Sequence, residues 1–333
     1  MNDGNDNNKI DMVYLWCDGN DPEFIKRKEY YQSNGAVKDV TKITGDVRFY
    51  DNEELKYSLR SLEMYAPWIN HVYIVTDRQV PKWLDTSYEK VTVIDHSQIM
   101  PNECIPCFNS NVIEYYLANI PELNDKFLYG NDDCFFGNFV VPADFFDGNK
   151  PVIRLIKSTW LDRLIFSFKK VTGRKREIGP MENAKSLLAV EYGRLDDFKT
   201  HHNIDAYSKK LVLNALRKYD AEFKATSMYR FRNRKCIHRL IFSLDALYSG
   251  NAVLKIVPTF DGVSKTFTWL KSGEVFSYFG KEYHVDRVRS VLKRNKAKLF
   301  CLNASEKATK EIKETSKRFM EELFPEPSKF ELK

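Results

Sequence analysis

The sequence predicts an α/β protein in which a mainly parallel sheet is flanked by helices. Within the first 148 residues, apolar runs of strand length alternate with helical patterns at short spacing, which is the rhythm of parallel α/β units. Several of these runs end in acidic side chains, and open α/β sheets bind ligands at the carboxyl ends of their strands. The chain can also bury a full core, because 43% of its 333 residues are hydrophobic.

Composition narrows the class of protein further. The net charge of +6 suits phosphate-bearing partners but does not demand a nucleic acid. The six cysteines are scattered through apolar runs, as in proteins of a reducing compartment. The polar N-terminus lacks the features of a signal peptide, and no run reaches the roughly 18 apolar residues of a membrane span. We therefore expect a cytoplasmic protein.

The first predicted strand, Ile10 to Cys17, runs directly into the turn Asp18-Gly19-Asn20-Asp21-Pro22. A strand that enters a Gly-containing turn is typical of the first crossover in a nucleotide-binding sheet. The sequence lacks the GxGxxG fingerprint, so nothing indicates a dinucleotide site. Asp18 and Asp21 are placed to contact a ligand, and they suit a turn and a helix cap equally well.

The next predicted element is a helix that ends at Pro67. Asp51 or Asn52 is expected to cap it, and Glu53 and Glu54 fall in its first turn, where the helix dipole favours acids. Further along, Glu114 lies in a predicted helix, where a lone Glu is usually solvated. The patterns predict, in order, a strand at His71 to Thr76, a strand at Val91 to Ile94, and a helix at Phe108 to Ala118 capped by Asn109 or Ser110.

The stretch FLYGNDDCFFG, Phe127 to Gly137, places Asn131, Asp132 and Asp133 inside an apolar run. Burying two carboxylates without a partner costs on the order of several kcal/mol per charge, so a cation, a donor or solvent must meet them. At the carboxyl end of a strand, an Asp pair suits a hard divalent cation. The alternative is an ordinary Asn-Asp turn.

Composition shifts after residue 148. Nine basic residues fall between Lys150 and Arg176, where apolar residues recur at helical spacing. This pattern predicts a basic amphipathic helix, which either lies on an anionic membrane surface or packs on the main domain with a solvated basic face.

The remaining chain carries two polar clusters and further regular elements. The adjacent His201 and His202 suit a base, a ligand or a surface turn. The arginines between Met228 and Leu247 could hold phosphate oxygens bidentately. Helices are predicted at Lys209 to Tyr219, Val285 to Lys296 and Ser305 to Leu323, with a strand at Lys298 to Asn303.

Four separated segments, in this order, resemble the Stealth family of sugar-phosphate transferases, which includes bacterial capsular polysaccharide phosphotransferases and the animal lysosomal-enzyme N-acetylglucosamine-1-phosphotransferase. The first segment is IDMVYLWCDGNDP. The second is RFYDNEELKYSLRSLEMYAPWINHVYIVTDRQVPKWLD, continuing through FNSNVIE to FLYGNDDCFFG. The third runs from HHNIDAYSKK through MYRFRNR, and the fourth is KLFCLN.

The resemblance implies an enzyme that transfers a sugar-1-phosphate from a nucleotide diphosphate sugar to a hydroxyl of a glycan acceptor, in bacterial surface polysaccharide synthesis. It would form a phosphodiester and release a nucleoside monophosphate. The implied fold is a Rossmann-like (GT-A-like) sheet with a mostly helical insertion and C-terminal helices. The expected parts are a nucleotide-sugar-binding core at 1–148, the basic helical insertion at 149–195, the completion of the catalytic domain at 196–303, and a C-terminal helix and tail at 304–333.

The resemblance also assigns roles by position. Asp132 and Asp133 match the family's ligands for Mg²⁺ or Mn²⁺. Glu114 matches its site glutamate, His202 its general base, and Arg232 the arginine near the transferring phosphate.

Two further positions, Asp18 and Asn303, match residues that line the donor site. The family's last block usually continues Asn-Asp, whereas Ala304 follows Asn303 here. Any role of that aspartate must be absent or supplied by another residue.

The implied partners are a nucleotide sugar donor and a glycan or lipid-linked glycan acceptor. The basic segment of residues 150 to 176 suits peripheral contact with an anionic membrane at the inner face. A homodimer is compatible with the sequence, which does not fix the oligomeric state. Two rival functions stay open: an ordinary glycosyltransferase that releases a nucleoside diphosphate, and a non-catalytic binding protein of a glycan assembly complex.

Overall fold

The computed structural model describes residues 8–34, 49, 51–157, 179–194, 196, 198–257, 277–281, 285–295, 297–303 and 309–333. The strands in these ranges are β1 (Ile10–Leu15), β2 (Val72–Thr76), β3 (Val91–Asp95), β4 (Lys126–Asn131), β5 (Cys134–Phe136), β6 (Phe146–Asp147), β7 (Lys150–Lys157), β8 (Phe198–Thr200), β9 (Asp205–Ser208), β10 (Val253–Ile256), β11 (Ser277–Lys281) and β12 (Leu299–Asn303). The helices are α1 (Pro22–Asn34), α2 (Glu54–Tyr65), α3 (His96–Ile99), α4 (Ser110–Ile113), α5 (Pro180–Tyr192), α6 (Lys209–Lys218), α7 (Asp220–Ser227), α8 (Leu240–Tyr248), α9 (Val285–Asn295) and α10 (Lys310–Leu323).

The largest sheet has five strands in the order β3-β2-β1-β4-β9. The first four are parallel, and β9 runs antiparallel to β4. The chain moves outward from β1 to β2 and β3, and then returns to place β4 on the other side of β1. The strand order therefore reverses between β1 and β4, which is where open α/β sheets bind ligands. The predicted α/β class with a mainly parallel sheet is confirmed.

Helices cover both faces of this sheet, as the helical spacing of their apolar residues predicts. On one face, α2 buries Leu55, Leu59 and Leu62 against the sheet. On the other, Tyr115 lies in a short 3₁₀ segment at Glu114–Asn119 and packs with α6 and α8. The sheet is therefore the middle of three layers, and its ends are left to carry function.

The predicted cap of α2 is wrong. The helix begins after Glu53, whose backbone adopts the left-handed conformation with φ of 62°, and no side chain caps it. Asp51 Oδ1 accepts a hydrogen bond from the Glu53 amide at 2.9 Å, and Glu54 Oε2 accepts one from the Asn52 amide at 2.6 Å. These carboxylates therefore stabilise the turn that precedes the helix and do not cap the free amides of its first turn.

The predicted helix from Lys150 is also wrong at its start, because Lys150–Lys157 is the strand β7. Both faces of this strand are buried, since Ile153, Arg154 and Leu155 are each at most 4% exposed. A strand buried on both faces has a continuous apolar run, which periodicity alone does not distinguish from a helix. The rest of that prediction, residues 158 to 176, lies outside the described residues.

The C-terminal part is as predicted in its main elements. Helix α10 buries Phe319 and Met320 in a small cluster with Phe135 of β5 and Phe300 of β12. Strand β12 pairs with β11 in parallel and with β5 in antiparallel orientation, so the end of the chain supports the segment that follows β4. None of the helices in the described ranges combines the length and apolar character that a bilayer crossing requires.

Candidate active site

The site begins at the end of β4. In the parallel pairing of β1 with β4, Leu15 lies opposite Asn131, so Asp18 and the Asp132-Asp133 turn both follow at the same edge. In the antiparallel pairing of β4 with β9, Tyr129 lies opposite Asp205. Because antiparallel strands run past each other, the residues before Asp205 lie beside the residues after Tyr129.

This register explains why the histidine reaches the acidic pair. His202 precedes Asp205 by the same interval at which Asp132 follows Tyr129, and its Nε2 atom lies 3.8 Å from Asp133 Oδ2. The His202 side chain is 42% exposed and that of Asp133 15%. An imidazole ring that solvent can reach therefore lies beside a carboxylate that is largely shielded.

Carboxylates crowd this edge of the sheet. Asp51 and Glu54, from the turn that leads into α2, lie close enough to the acidic pair to interact with it electrostatically. Burial, reinforced by the charges of Asp133, Glu54 and Asp51, raises the pKa of Asp132 well above its usual range. Burial likewise raises the pKa of Glu54 to about 8 and that of Asp51 to about 6. Such a cluster is electrostatically under-compensated and favours a cation.

A thiol lies next to the same pair. Cys301 on β12 is fully buried, and its Sγ, a carboxylate oxygen of Asp133 and a ring nitrogen of His202 lie within 4.8 Å of one another. Burial raises the pKa of the Cys301 thiol well above its usual range. The site therefore offers an oxygen, a nitrogen and a sulfur atom from three separate segments.

Glu114 is not a solvated helical residue, which corrects the expectation from the sequence. It is 6% exposed, and its Oε1 lies 3.0 Å from the Tyr129 hydroxyl and accepts a hydrogen bond from Arg239 Nη1 at 3.3 Å. The same hydroxyl lies 2.9 Å from Asn131 Oδ1. Glu114 is therefore linked through Tyr129 to the last residue of β4, immediately before the acidic pair.

Arg239 extends this contact into a buried network. Its Nη2 donates to Asp205 Oδ2 at 3.0 Å, and Asp205 Oδ1 lies 3.1 Å from Nε2 of the buried His201. Burial alone would raise the pKa of Asp205, but His201 and Arg239 hold it at about 2. The chain of contacts from Glu114 through Arg239 and Asp205 to His201 fixes the residue that precedes His202.

Arg232 is held at the start of α4. Its Nη2 donates to Ser110 Oγ at 2.7 Å, at the first residue of α4. Asn109, predicted as a helix cap, makes no capping bond and donates instead to the carbonyl oxygens of Tyr229 and Phe231 at 2.9 and 3.0 Å. The segment before Arg232 is thus tied to the start of α4.

The two residues predicted to bind the donor lie on separate segments of the chain. Asp18 lies in the turn after β1, where its amide donates to Gln79 Oε1 at 3.0 Å and its Oδ1 accepts from the Asn20 amide at 2.8 Å. Asn303 ends β12, two residues beyond Cys301. Ala304, which replaces the aspartate usual in the family's last block, lies outside the described residues.

Sequence reasoning missed four contributors: Asp51, Glu54, Cys301 and Arg239. The two acids were assigned to a helix start, although an acid-rich turn before a helix that packs on the sheet can also face the sheet's edge. Cys301 lies in an apolar strand, and Arg239 lies among several arginines. Only tertiary contact distinguishes these two residues from their neighbours.

A sheet whose order reverses between β1 and β4, with carboxylates and a histidine gathered at that point, defines an α/β protein with a candidate active site at its topological switch point. Conserved region 2 of the Stealth proteins matches residues 48–153, and conserved region 1 matches residues 8–36. The capsular polysaccharide phosphotransferase cps1A of Actinobacillus pleuropneumoniae is 32% identical over 74% of this chain and 68% of that protein. The chain belongs to the Stealth family, and the resemblance found in the sequence is confirmed.

Other relatives cover almost the whole chain. The exopolysaccharide phosphotransferase cps2G of Lactiplantibacillus plantarum is 28% identical over 97% of this chain and 96% of that protein. The capsular polysaccharide phosphotransferase WcwK of Streptococcus pneumoniae is 27% identical over 98% of both. Among solved structures, the galactosyltransferase LgtC aligns with 96% of each chain at 11% identity and a TM-score of 0.45. The strand order, not this distant likeness, defines the fold.

Proposed function

We propose that this protein is a phosphotransferase of bacterial surface polysaccharide synthesis, which transfers a sugar-1-phosphate from a nucleotide diphosphate sugar to a hydroxyl of a glycan acceptor. Membership of the Stealth family and the names of its relatives, capsular and exopolysaccharide phosphotransferases, support this function. The observation that carries it is the His202 ring 3.8 Å from Asp133 at the switch point of the sheet. A base and a carboxylate stand there together, as attack by a hydroxyl on phosphorus requires.

The residues present fit a divalent cation such as Mg²⁺ or Mn²⁺. Asp132 and Asp133 would hold it, with Asp51 and Glu54 as acidic neighbours, because these oxygen ligands suit hard cations. The raised pKa values of Asp132 and Glu54 support the assignment, since the charged forms lack compensation without a cation. When bound, such an ion neutralises charge on the phosphate oxygens of the donor.

His202 would act as the general base. Its exposed ring can accept the proton of the acceptor hydroxyl while the hydroxyl oxygen attacks the β-phosphorus of the donor. The bond between that phosphorus and the bridging oxygen of the pyrophosphate breaks, and the nucleoside monophosphate leaves. The anomeric bond of the sugar is not touched, which separates this reaction from glycosyl transfer.

Arg232 would orient the phosphoryl group. A guanidinium presents a planar fork of donors that matches phosphate oxygens, and Ser110 fixes one end of this side chain. Glu114 would position the site residues and would not contact the substrate, because it accepts hydrogen bonds from Tyr129 and Arg239. Asp18, in the turn after β1, and Asn303, the last residue of β12, would line the donor pocket.

The function is tested by product analysis with the purified chain. Incubation with Mg²⁺, a panel of nucleotide sugars and a glycan acceptor should release a nucleoside monophosphate, detected by mass spectrometry. Asp133→Asn should remove the stimulation by Mg²⁺, because it replaces a charged ligand by a neutral one. Release of a nucleoside diphosphate instead would identify a glycosyltransferase. Absence of any turnover, with donor and acceptor bound, would favour the binding-protein alternative.

A further inference from the structure

We propose that Asp133, His202 and Cys301 form an inhibitory site for a borderline divalent metal ion of the Zn²⁺ class. The inhibition rests on the proposed function, because the ion would occupy the base and a ligand of the catalytic cation. The site itself rests only on the geometry of the three side chains.

The three donor atoms already lie close together. One atom from each side chain falls within 4.8 Å of the others, and His202 Nε2 is 3.8 Å from Asp133 Oδ2. Zn²⁺ binds at about 2.0–2.3 Å with tetrahedral angles, which places its ligand atoms roughly 3.5 Å apart. Contraction of these separations by at most about 1.3 Å, which small side-chain rotations can supply, would complete three of the four positions. Water or substrate would take the fourth.

The three ligand atoms, an oxygen, a nitrogen and a sulfur, favour a softer metal ion than Mg²⁺. Zn²⁺ accepts thiolate, imidazole and carboxylate, whereas Mg²⁺ prefers six oxygen ligands. Cys301 therefore adds affinity for Zn²⁺ and none for the catalytic cation. Binding converts the Cys301 thiol into a thiolate and releases its proton to solvent, so no electron transfer is involved.

The site is accessible from one side and rigid on the other. The His202 side chain is 42% exposed and provides the entry path. Cys301 lies on β12, which is paired on both sides by β5 and β11, and it is fully buried. An entering ion thus meets His202 first and the fixed sulfur last.

Occupation would stop the reaction for two reasons. Coordination through Nε2 removes the lone pair with which His202 accepts a proton. Coordination of Asp133 withdraws one of the carboxylates that hold the catalytic ion. Zn²⁺ should therefore inhibit in the presence of excess Mg²⁺, and a chelator that prefers Zn²⁺ should reverse the inhibition.

The test uses Co²⁺ as a spectroscopic probe of the purified full chain, without substrate. A thiolate ligand gives a charge-transfer absorption in the near ultraviolet, and tetrahedral Co²⁺ gives intense visible bands. We expect both at one equivalent, with loss of the charge-transfer band in Cys301→Ser. His202→Asn, at an exposed position, should weaken Co²⁺ binding at least about tenfold, because loss of a group that only supports a metal ligand already costs about 10–100-fold. Cys107→Ser, at a buried cysteine outside the site, should keep the full spectrum.

Several outcomes would overturn the proposal. A charge-transfer band that persists in Cys301→Ser but disappears in Cys134→Ser would assign the thiolate to the neighbouring strand. A wild-type spectrum without thiolate character, or unchanged affinity in His202→Asn, would reject the site. These readouts need no turnover, so a chain without phosphotransferase activity would refute the proposed function and leave the metal site to be judged by its spectrum.

Discussion

The proposed chemistry depends on the contact between His202 and Asp133, and each residue can be tested alone. His202→Ala should lower kcat by roughly 10²–10⁴-fold, because general base catalysis is worth that range. The KM of the donor should stay near its original value, since the role proposed for the ring is to accept a proton from the acceptor and not to bind the donor. Steady-state kinetics would measure both quantities.

The matched control for His202→Ala is His71→Ala. His71 is also partly exposed, but it precedes β2 and so lies at the opposite edge of the sheet, 2.8 Å from Thr92 Oγ1. Its removal should leave kcat unchanged. An unchanged kcat in His202→Ala would take His202 out of the base role.

Glu54 gives the site a predicted pH dependence of stability. Burial raises its folded-state pKa from 4.5 to about 8, so between these values the folded chain binds more protons than the unfolded chain. The free energy of unfolding contributed by Glu54 therefore falls as pH rises through this window. Glu54→Gln should raise Tm at pH 8 by about 1–2 °C per kcal/mol gained, because the entropy of unfolding grows with chain length, and it should flatten the fall of Tm with pH.

The measurement is thermal unfolding between pH 5 and pH 8 in the presence of a chelator. Mg²⁺ should raise Tm of the wild-type chain more at pH 8 than at pH 5, because cations bind the ionised carboxylates. The exposed Glu89→Gln should leave the pH dependence unaltered. A wild-type Tm that rises steadily with pH without metal would contradict the assigned direction.

At the scale of elements, the pairing of β4 with β9 brings His202 close to Asp133, and Arg239 contacts Asp205 of β9 from the interior. Arg239→Met would remove the guanidinium that pairs with both Glu114 and Asp205 in the interior, although His201 would still contact Asp205. Breaking a buried ion pair from one side destabilises by about 3–5 kcal/mol, and urea denaturation would measure the loss. Turnover should fall as well, because the turn that carries His202 loses its support.

A second arginine provides the control for Arg239. Arg194 pairs with Asp196 at 2.6 Å, but its side chain is 56% exposed. Arg194→Met should therefore cost at most about 1 kcal/mol, as surface pairs do. Equal losses for the two variants would mean that the Arg239 network does not hold the site together.

The elements also show how far sequence reasoning reaches. Strands β1, β2, β3, β4 and β12 were predictable because each is a short apolar run that ends in a polar turn. β7 was not, since a strand buried on both faces has no alternation and its apolar run also fits helical spacing. The sequence of the turn from Asp51 to Glu54 resembles a helix cap. The left-handed backbone of Glu53 changes the direction of the chain there, so that no side chain caps α2.

The site could be predicted only where one segment carries it. Asp132 and Asp133 stand out because two acids interrupt an apolar run, and the family resemblance assigned His202 its role. The convergence of Asp51, Glu54 and Cys301 on the acidic pair depends on how distant segments of the chain fold together. No local sequence pattern predicts this convergence, so these residues can be assigned to the site only from the folded structure.

At the scale of the whole molecule, the basic residues between positions 158 and 176 suit peripheral contact with an anionic membrane, whereas Lys150–Lys157 is a strand of the fold in which Arg154 is buried. We expect the chain to sediment with vesicles that contain anionic lipid, because basic side chains near such a surface each add about 1 kcal/mol. Charge reversal at Lys169 and Lys170 should reduce the bound fraction several-fold. Reversal at the exposed Lys82 and Lys210 makes the same change in net charge and should leave it unchanged. Equal losses in both double variants would indicate a general charge effect.

The fate of the β-phosphorus of the donor tests the central claim most directly. A nucleotide sugar labelled with ³²P at the β-phosphate should pass its label to the glycan acceptor, in a metal-dependent reaction that His202→Ala slows. The unlabelled nucleoside monophosphate should appear in equal amount. Retention of the label in a released nucleoside diphosphate, with an unlabelled glycan product, would contradict sugar-phosphate transfer and the roles assigned here to His202 and Arg232.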